Sequence, residues 1–227
     1  AKQSLSVSPS GINILPDERR KGEILLMRAV EKLRKEEIEL LRDVMEKITS
    51  GVAERYSRLN FSSYFGNKVR NSLVAKGLIE CVDVAMGKGR VRLLWLTEKG
   101  KDALKNLGFD VPVRGRGGPE HEYWKERVRE HLESLGYEVE VEKPIGGGRT
   151  IDLVARKDGT EVAVEIETGH SDFKENIAKC LEAGFREIVL LASSSRAAAR
   201  LRHEVNSRDP TIRGALCVND PVSFLLN

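Results

Sequence analysis

The chain has 227 residues, 40% hydrophobic and 32% charged, with a formal net charge of +3, the proportions of an ordinary soluble globular protein with room for one large or two small domains. No apolar run approaches a membrane span and no signal-peptide pattern is present, which sets aside membrane-embedded and exported classes and makes the cytoplasm the expected setting. Cys81, Cys180 and Cys217 are odd in number, widely spaced and without histidine pairs, so neither a disulfide framework nor a zinc site is expected.

The charge is unevenly placed. Residues 1–115 hold 22 Lys and Arg against 15 Asp and Glu, or +7, and the remainder holds 16 against 20, or −4. A basic first half facing a polyanion is one reading, and two independently solvated domains is the other. A lone glutamine, Gln3, among many Lys, Arg and Glu points to a hot-growing source. The chain opens on Ala1, read either as methionine removal or as a cut from a longer protein.

Residues 1–16 lack periodicity and read as an arm or linker. Leu26, Val30 and Leu33, then Ile38, Leu41, Met45 and Ile48, predict one long helix or two between Asp17 and Lys47. A homodimer contact, if the chain forms one, is expected along Ile24–Ile48. Ser50-Gly51 closes this segment. A short helix over Val52–Leu59 follows, then another opened by Asn60-Phe61-Ser62 and ended by Gly77. Leu78–Val84 and Val91–Leu96, joined by Met86-Gly-Lys-Gly-Arg, predict a hairpin. Thr97-Glu-Lys-Gly begins a helix ending near Gly108.

That order resembles a winged helix-turn-helix over residues 17–110, with Leu96-Thr-Glu-Lys-Gly similar to the close of the wing in many such regulators. Phe61, Phe65, Val69 and Leu73 recur every fourth residue and would turn inward. Ser62, Ser63, Tyr64, Asn67, Lys68, Arg70 and Asn71 would then face DNA, as side chains that meet base edges and phosphates do. Lys88, Arg90 and Arg92 on the wing would lie against the backbone. The alternative is a helical packing or docking module whose basic residues face water.

Val111-Pro-Val-Arg-Gly-Arg-Gly-Gly-Pro marks a hinge, taken as 111–118. Residues 119–227 then read α, β, β, β, α, β, α, β. The predicted elements are a helix over Pro119–Ser134, strands at Tyr137–Glu142, Thr150–Arg156 and Glu161–Thr168, a helix at Asp172–Ala183 and a strand at Ile188–Ala192. A helix at Ser195–Val205 and a strand near Ala215–Val218 complete the tail. In the third strand Val162, Val164 and Ile166 share one face, and Ala163, Glu165 and Glu167 the other. In the second, Ile151 and Leu153 are expected on one face, Asp152 and Val154 on the other. Carboxylates in strands this apolar are costly to bury unpaired, and a divalent cation would relieve them.

Asp in the second strand and a Glu pair in the third resemble the PD-(D/E)xK nuclease superfamily over residues 119–192. The resemblance implies a restriction-endonuclease-like α/β domain with an α-β-β-β-α-β core and a mixed sheet. It also implies a Mg²⁺- or Mn²⁺-dependent endodeoxyribonuclease, with Asp152, Glu165 and Glu120 as metal ligands. Glu120, Trp124, Val128 and Leu135 are placed on one helix face toward the sheet. Where that family usually has Lys, this chain has Glu167, read as general base or second ligand. Lys174, Lys179 or His170 would then serve for the missing lysine, and Arg149 would touch a phosphate. His121, His131 and His203 are assigned to surface or core, and Trp95 and Trp124 to core.

Gly115-Arg-Gly-Gly-Pro-Glu-His-Glu-Tyr-Trp, Glu165-Ile-Glu-Thr-Gly-His-Ser-Asp and Glu175-Asn-Ile-Ala-Lys-Cys-Leu-Glu-Ala-Gly-Phe are similar to C-terminal regions of archaeal HerA/FtsK-type ATPases and related mobile-element proteins. A partner ATPase is the expectation this carries, since no Walker A sequence occurs here. Two functions stay open: a nuclease acting on duplex or branched DNA, or a non-catalytic DNA-binding adaptor with a degenerate nuclease fold.

Overall fold

The computed structural model describes residues 33–86, 89–112, 117–168, 173–192, 198–199, 201–203, 216–219 and 224. The expected arm, the leading part of the helix expected from Asp17, Lys88 and His170 lie outside them.

Helix α1 (Lys35–Glu46) starts on half of a capping box: the Glu37 carboxylate accepts the Arg34 backbone N–H at 2.9 Å. Leu40, Leu41 and Val44 form its buried stripe. Glu37 also receives Lys76 Nζ and Ser72 Oγ, each at 2.7 Å, tying α1 to the end of α3 (Ser63–Ala75). Burial alone would raise its pKa, but the bonds from Lys76, Ser72 and Arg34 outweigh that and hold it at about 2.

Helix α2 (Val52–Arg58) meets α1 through Arg55, whose side chain is wholly buried. Its guanidinium donates to Asp43 Oδ2 at 2.6 Å, to the Asp43 carbonyl at 2.8 Å and to the Lys47 carbonyl. It thereby adds a second donor to two carbonyls at the end of α1 that already accept the Lys47 and Ser50 N–H groups. The turn into α3 passes Asn60 at φ +56°, a left-handed position that Asn tolerates. Ser62 caps α3 by accepting the Phe65 N–H. Gly66 lets α2 and α3 close, since a Cβ there would stand 2.7 Å from the Tyr56 ring. Val69 and Leu73 are fully buried, and Phe61 and Phe65 pack on the same core, as their spacing predicts.

Strands β1 (Ile79–Ala85) and β2 (Arg90–Leu96) pair antiparallel as the wing hairpin. Thr97 caps α4 (Glu98–Asn106) and donates to the Gly77 carbonyl at 2.7 Å. Gly100 is required here, because a Cβ would fall 2.0 Å from the Leu78 carbonyl oxygen. Three helices, a hairpin and a closing helix around one core thus form a winged-helix-like unit.

The second unit begins with α5 (Pro119–Ser134), whose bounds match those expected. It continues through β3 (Glu138–Pro144), β4 (Thr150–Lys157), β5 (Thr160–Glu167), α6 (Phe173–Glu182), β6 (Glu187–Ala192) and β7 (Leu216–Asn219). The sheet order is β3-β4-β5-β6-β7, antiparallel up to β5 and parallel beyond it, a mixed five-stranded sheet. Trp124, Val128 and Leu132 of α5 cover one face over Leu153, Val164 and Ile166. Ile177 and Cys180 of α6 cover the other, over Val154, Ala163 and Ile188. Leu135 does not join this stripe: it sits at the C-cap, beyond the last turn, and is 47% exposed. Val84 and Leu93 of the hairpin enter the same cluster as Trp124, so the wing packs on α5.

Candidate functional site

The alternation expected for β5 holds. Val162, Val164 and Ile166 turn toward α5, while Glu165 and Glu167 turn toward α6. For β4 it fails at Asp152. Ile151 packs with Val154 and Ala163 rather than with Leu153. The β4–β5 ladder runs from Lys157↔Thr160 to Leu153↔Val164 and stops there. On the other side, Glu142 stands opposite Asp152 at φ +52°, and the β3–β4 ladder skips that pair. A left-handed non-glycine residue costs on the order of 1–3 kcal/mol, so this kink is held by its surroundings. Where the strands part, Asp152 Oδ2 accepts the Ile166 N–H at 2.8 Å in place of a ladder bond.

The opening so made is a pocket of about 740 Å³. Asp152 and Glu165 line it from the sheet, Glu120 and His121 from the first turn of α5, and Asn176 and Lys179 from α6. Glu80 and Val82 of the wing strand β1 line it as well. Three of the four acids singled out in the sequence therefore border one cavity. Glu167 is not among the lining residues; it is buried beside them and accepts Asn176 Nδ2 at 2.6 Å.

Each sheet acid is paired. His121 Nε2 lies 3.0 Å from Asp152 Oδ2, although sequence reasoning gave this histidine no partner. The only signal was Gly117-Gly118-Pro119 before the helix: a Cβ at Gly117 would stand 2.2 Å from His121 Nδ1. Burial would lower the imidazolium, but the hydrogen bond to Asp152 and the Glu122 carboxylate 3.6 Å from Nδ1 prevail and lift it to about 9. Asp152 shows the counterpart: burial favours its neutral form, yet His121 and the Ile166 N–H hold it below the usual carboxylate range. Glu165 is 1% exposed. Burial, with the Asp152 charge added, pushes it up to about 8 even with Lys179 Nζ at 2.9 Å. Burial and the same glutamate push the Cys180 thiol, 3.6 Å away, up to about 12. Behind the histidine, Lys125 joins Glu122 and Glu142 at 2.6 Å each, which neutralises the kinked residue.

Carboxylate oxygens on a buried floor are the donors that Mg²⁺ or Mn²⁺ takes. Among the described residues, no three His, Cys, Asp or Glu side chains are grouped to hold a metal ion as they stand. Binding one requires Asp152 and Glu165 to exchange His121 and Lys179 for the ion. Lys174 lies over the Phe173 ring and Arg149 pairs with Glu182 at 2.9 Å, and neither lines the pocket.

On the first unit, Ser63, Asn67, Lys68 and Asn71 are exposed on α3, and Tyr64 is 81% exposed. Arg70 is half-buried and donates to Asn71 Oδ1 at 3.0 Å. On the wing, Arg92 and Arg90 both pair with Asp83, at 2.7 and 3.3 Å, so part of their charge is neutralised locally.

No family model and no curated protein matches the chain. Among solved structures, the PcaV transcriptional regulator from Streptomyces coelicolor, in complex with its natural ligand, is similar over 45% of this chain and 76% of its own. The identity is 18% and the TM-score 0.32. Protein VC1899 from Vibrio cholerae is similar over 93% of this chain, at 13% identity and a TM-score of 0.35. The chain spans about half of that protein, 55% of its length. At these scores neither neighbour fixes fold or function. No helix among the described residues is long and apolar enough to cross a membrane.

Proposed function

We propose that the chain is a DNA-binding protein whose second unit is a restriction-endonuclease-like domain of the PD-(D/E)xK type, a Mg²⁺- or Mn²⁺-dependent endodeoxyribonuclease. The observation that carries this is the convergence of Asp152, Glu165 and Glu120 on one pocket with Lys179 beside them. A divalent cation held by the three acids would supply Lewis acidity and lower the pKa of a water at that place. The chain's own groups do the rest. Asp152 is fixed by the Ile166 N–H, and Lys179 stands from α6 where the strand offers Glu167 instead of lysine. His121 and Lys179 are the pocket's cations, suited to a phosphate once their carboxylates are engaged elsewhere.

A second reading rests on a specific observation: each sheet acid already has a partner inside the protein. A degenerate nuclease fold, kept as a DNA-binding or ATPase-docking adaptor, accounts for that pairing. Cutting of plasmid or branched DNA with Mn²⁺ separates the two.

Both readings place duplex DNA on α3. Lys68 is exposed and makes no ion pair among the described residues. Lys68→Ala is expected to lower affinity for any duplex sequence and to reduce the slope of log affinity against log salt by about one. Fluorescence anisotropy across a salt series measures this. An unchanged slope would remove α3 from the interface.

A further inference from the structure

The wing offers an observation that DNA reading by α3 does not use. Along β1 the alternation sets Glu80, Val82 and Val84 on one face. Val84 is fully buried with Trp124 and Leu93, in the core beneath α5. Across the hairpin end, Tyr123 Oη approaches Met86 Sδ at 3.9 Å. With that face anchored, Glu80 and Val82 become one side of the acid pocket. A hairpin packed in this way has one face committed to the protein, not to a groove of DNA.

The pocket thus has walls from both units: the wing on one side, the start of α5 and the kinked β3–β4 edge on the other. Its acids sit low, Glu165 at 1% exposure. About 740 Å³ is the scale of a small-molecule site, whereas a B-form duplex presents a major groove about 12 Å wide on a convex surface. Glu142 is paired with Lys125; once a cation takes Asp152, Glu165 and Glu120, the charges left on the described walls are Lys179 and His121 on the α6 and α5 sides and Glu80 on the wing. A carboxylate repels phosphate and accepts hydrogen bonds from exocyclic amines of bases, and those are open along the whole base edge only when the base is unpaired.

We propose that the wing hairpin is a wall of the acid pocket that admits an unpaired strand, its bases toward Glu80 and Val82 and its phosphates toward Lys179 and His121. The substrate is then a fork, flap or single-stranded segment beside a duplex held by α3. This rests on reading the pocket as a nucleic-acid site.

Photo-crosslinking tests it without any cutting. Val82→p-benzoyl-Phe, in the full chain with Ca²⁺ in place of Mg²⁺ or Mn²⁺ to engage the carboxylates, is irradiated with single-stranded, forked and blunt duplex DNA. A probe at Tyr64 of α3 runs alongside. Glu80→p-benzoyl-Phe, at an exposed position, serves if the Val82 variant does not fold. Opening a duplex costs a few kcal/mol, so adducts at position 82 are expected on the order of tenfold or more stronger with forked and single strands than with blunt duplex. Equal adducts with blunt duplex overturn the unpaired-strand assignment. Adducts at position 64 with none at 82 or 80 overturn the wing's role while leaving DNA binding intact. Adducts at neither place remove DNA binding, and the proposal with it.

Discussion

With Mn²⁺ and plasmid or branched DNA, Asp152→Ala is expected to slow cutting by on the order of 10²–10³-fold or more, the effect of removing a group that holds charge at the reacting centre. Asp152 has a structural task as well, since Oδ2 accepts the Ile166 N–H where the β4–β5 ladder ends. Asp152→Asn keeps an oxygen for that N–H and removes only the charge. The two substitutions should therefore lose activity together, while Asp152→Asn, which keeps the Ile166 bond and loses only the ion pair with His121, loses less thermal stability than Asp152→Ala. Under the adaptor reading the parent does not cut whichever metal is supplied, and Asp152→Ala leaves DNA affinity unchanged or raises it by removing a negative charge.

Arg55→Ala is expected to destabilise the protein by about 3–5 kcal/mol, as breaking a buried ion pair does. Asp43 is 6% exposed and would keep only Arg58, whose Nε lies 2.7 Å from Oδ1. The Asp43 and Lys47 carbonyls would each lose one of two donors, keeping the Lys47 and Ser50 N–H groups, so the charge left on Asp43 dominates the loss. Chemical denaturation followed by circular dichroism measures the loss. Because Arg55 fixes α2 on α1, and α2 seats α3 through the Gly66–Tyr56 approach, the variant should also bind duplex DNA poorly. A loss below about 1 kcal/mol would mean the site collapses onto an apolar alternative without penalty.

Local pattern carried the parts of this fold that depend on local pattern. The four-residue spacing of Phe61, Phe65, Val69 and Leu73 placed the inner face of α3, and the alternation through Glu165 and Glu167 placed the acids on the α6 side. Pro119 fixed the start of α5 because proline suits a first helical position. What the sequence hid depends on contacts between distant segments. Asp152 breaks its strand's alternation because Glu142, ten residues earlier and on another strand, takes a left-handed conformation. His121 finds Asp152 across 31 residues, and no spacing rule reaches that far. The wing's place in the pocket follows from Val84 and Leu93 meeting Trp124. In the sequence those valine and leucine residues look like any hairpin's inner face.

Mn²⁺ binding followed by isothermal titration calorimetry is the most direct test of the pocket. Glu165, with its pKa raised to about 8, is mostly protonated at pH 7, and its carboxylate must be freed to take a cation. Affinity should thus rise between pH 7 and pH 8 and level off above, with close to one proton released per ion at pH 7, and Asp152→Ala should abolish the heat. No binding at any of these pH values, or binding that survives Asp152→Ala unchanged, would contradict a metal site among these acids.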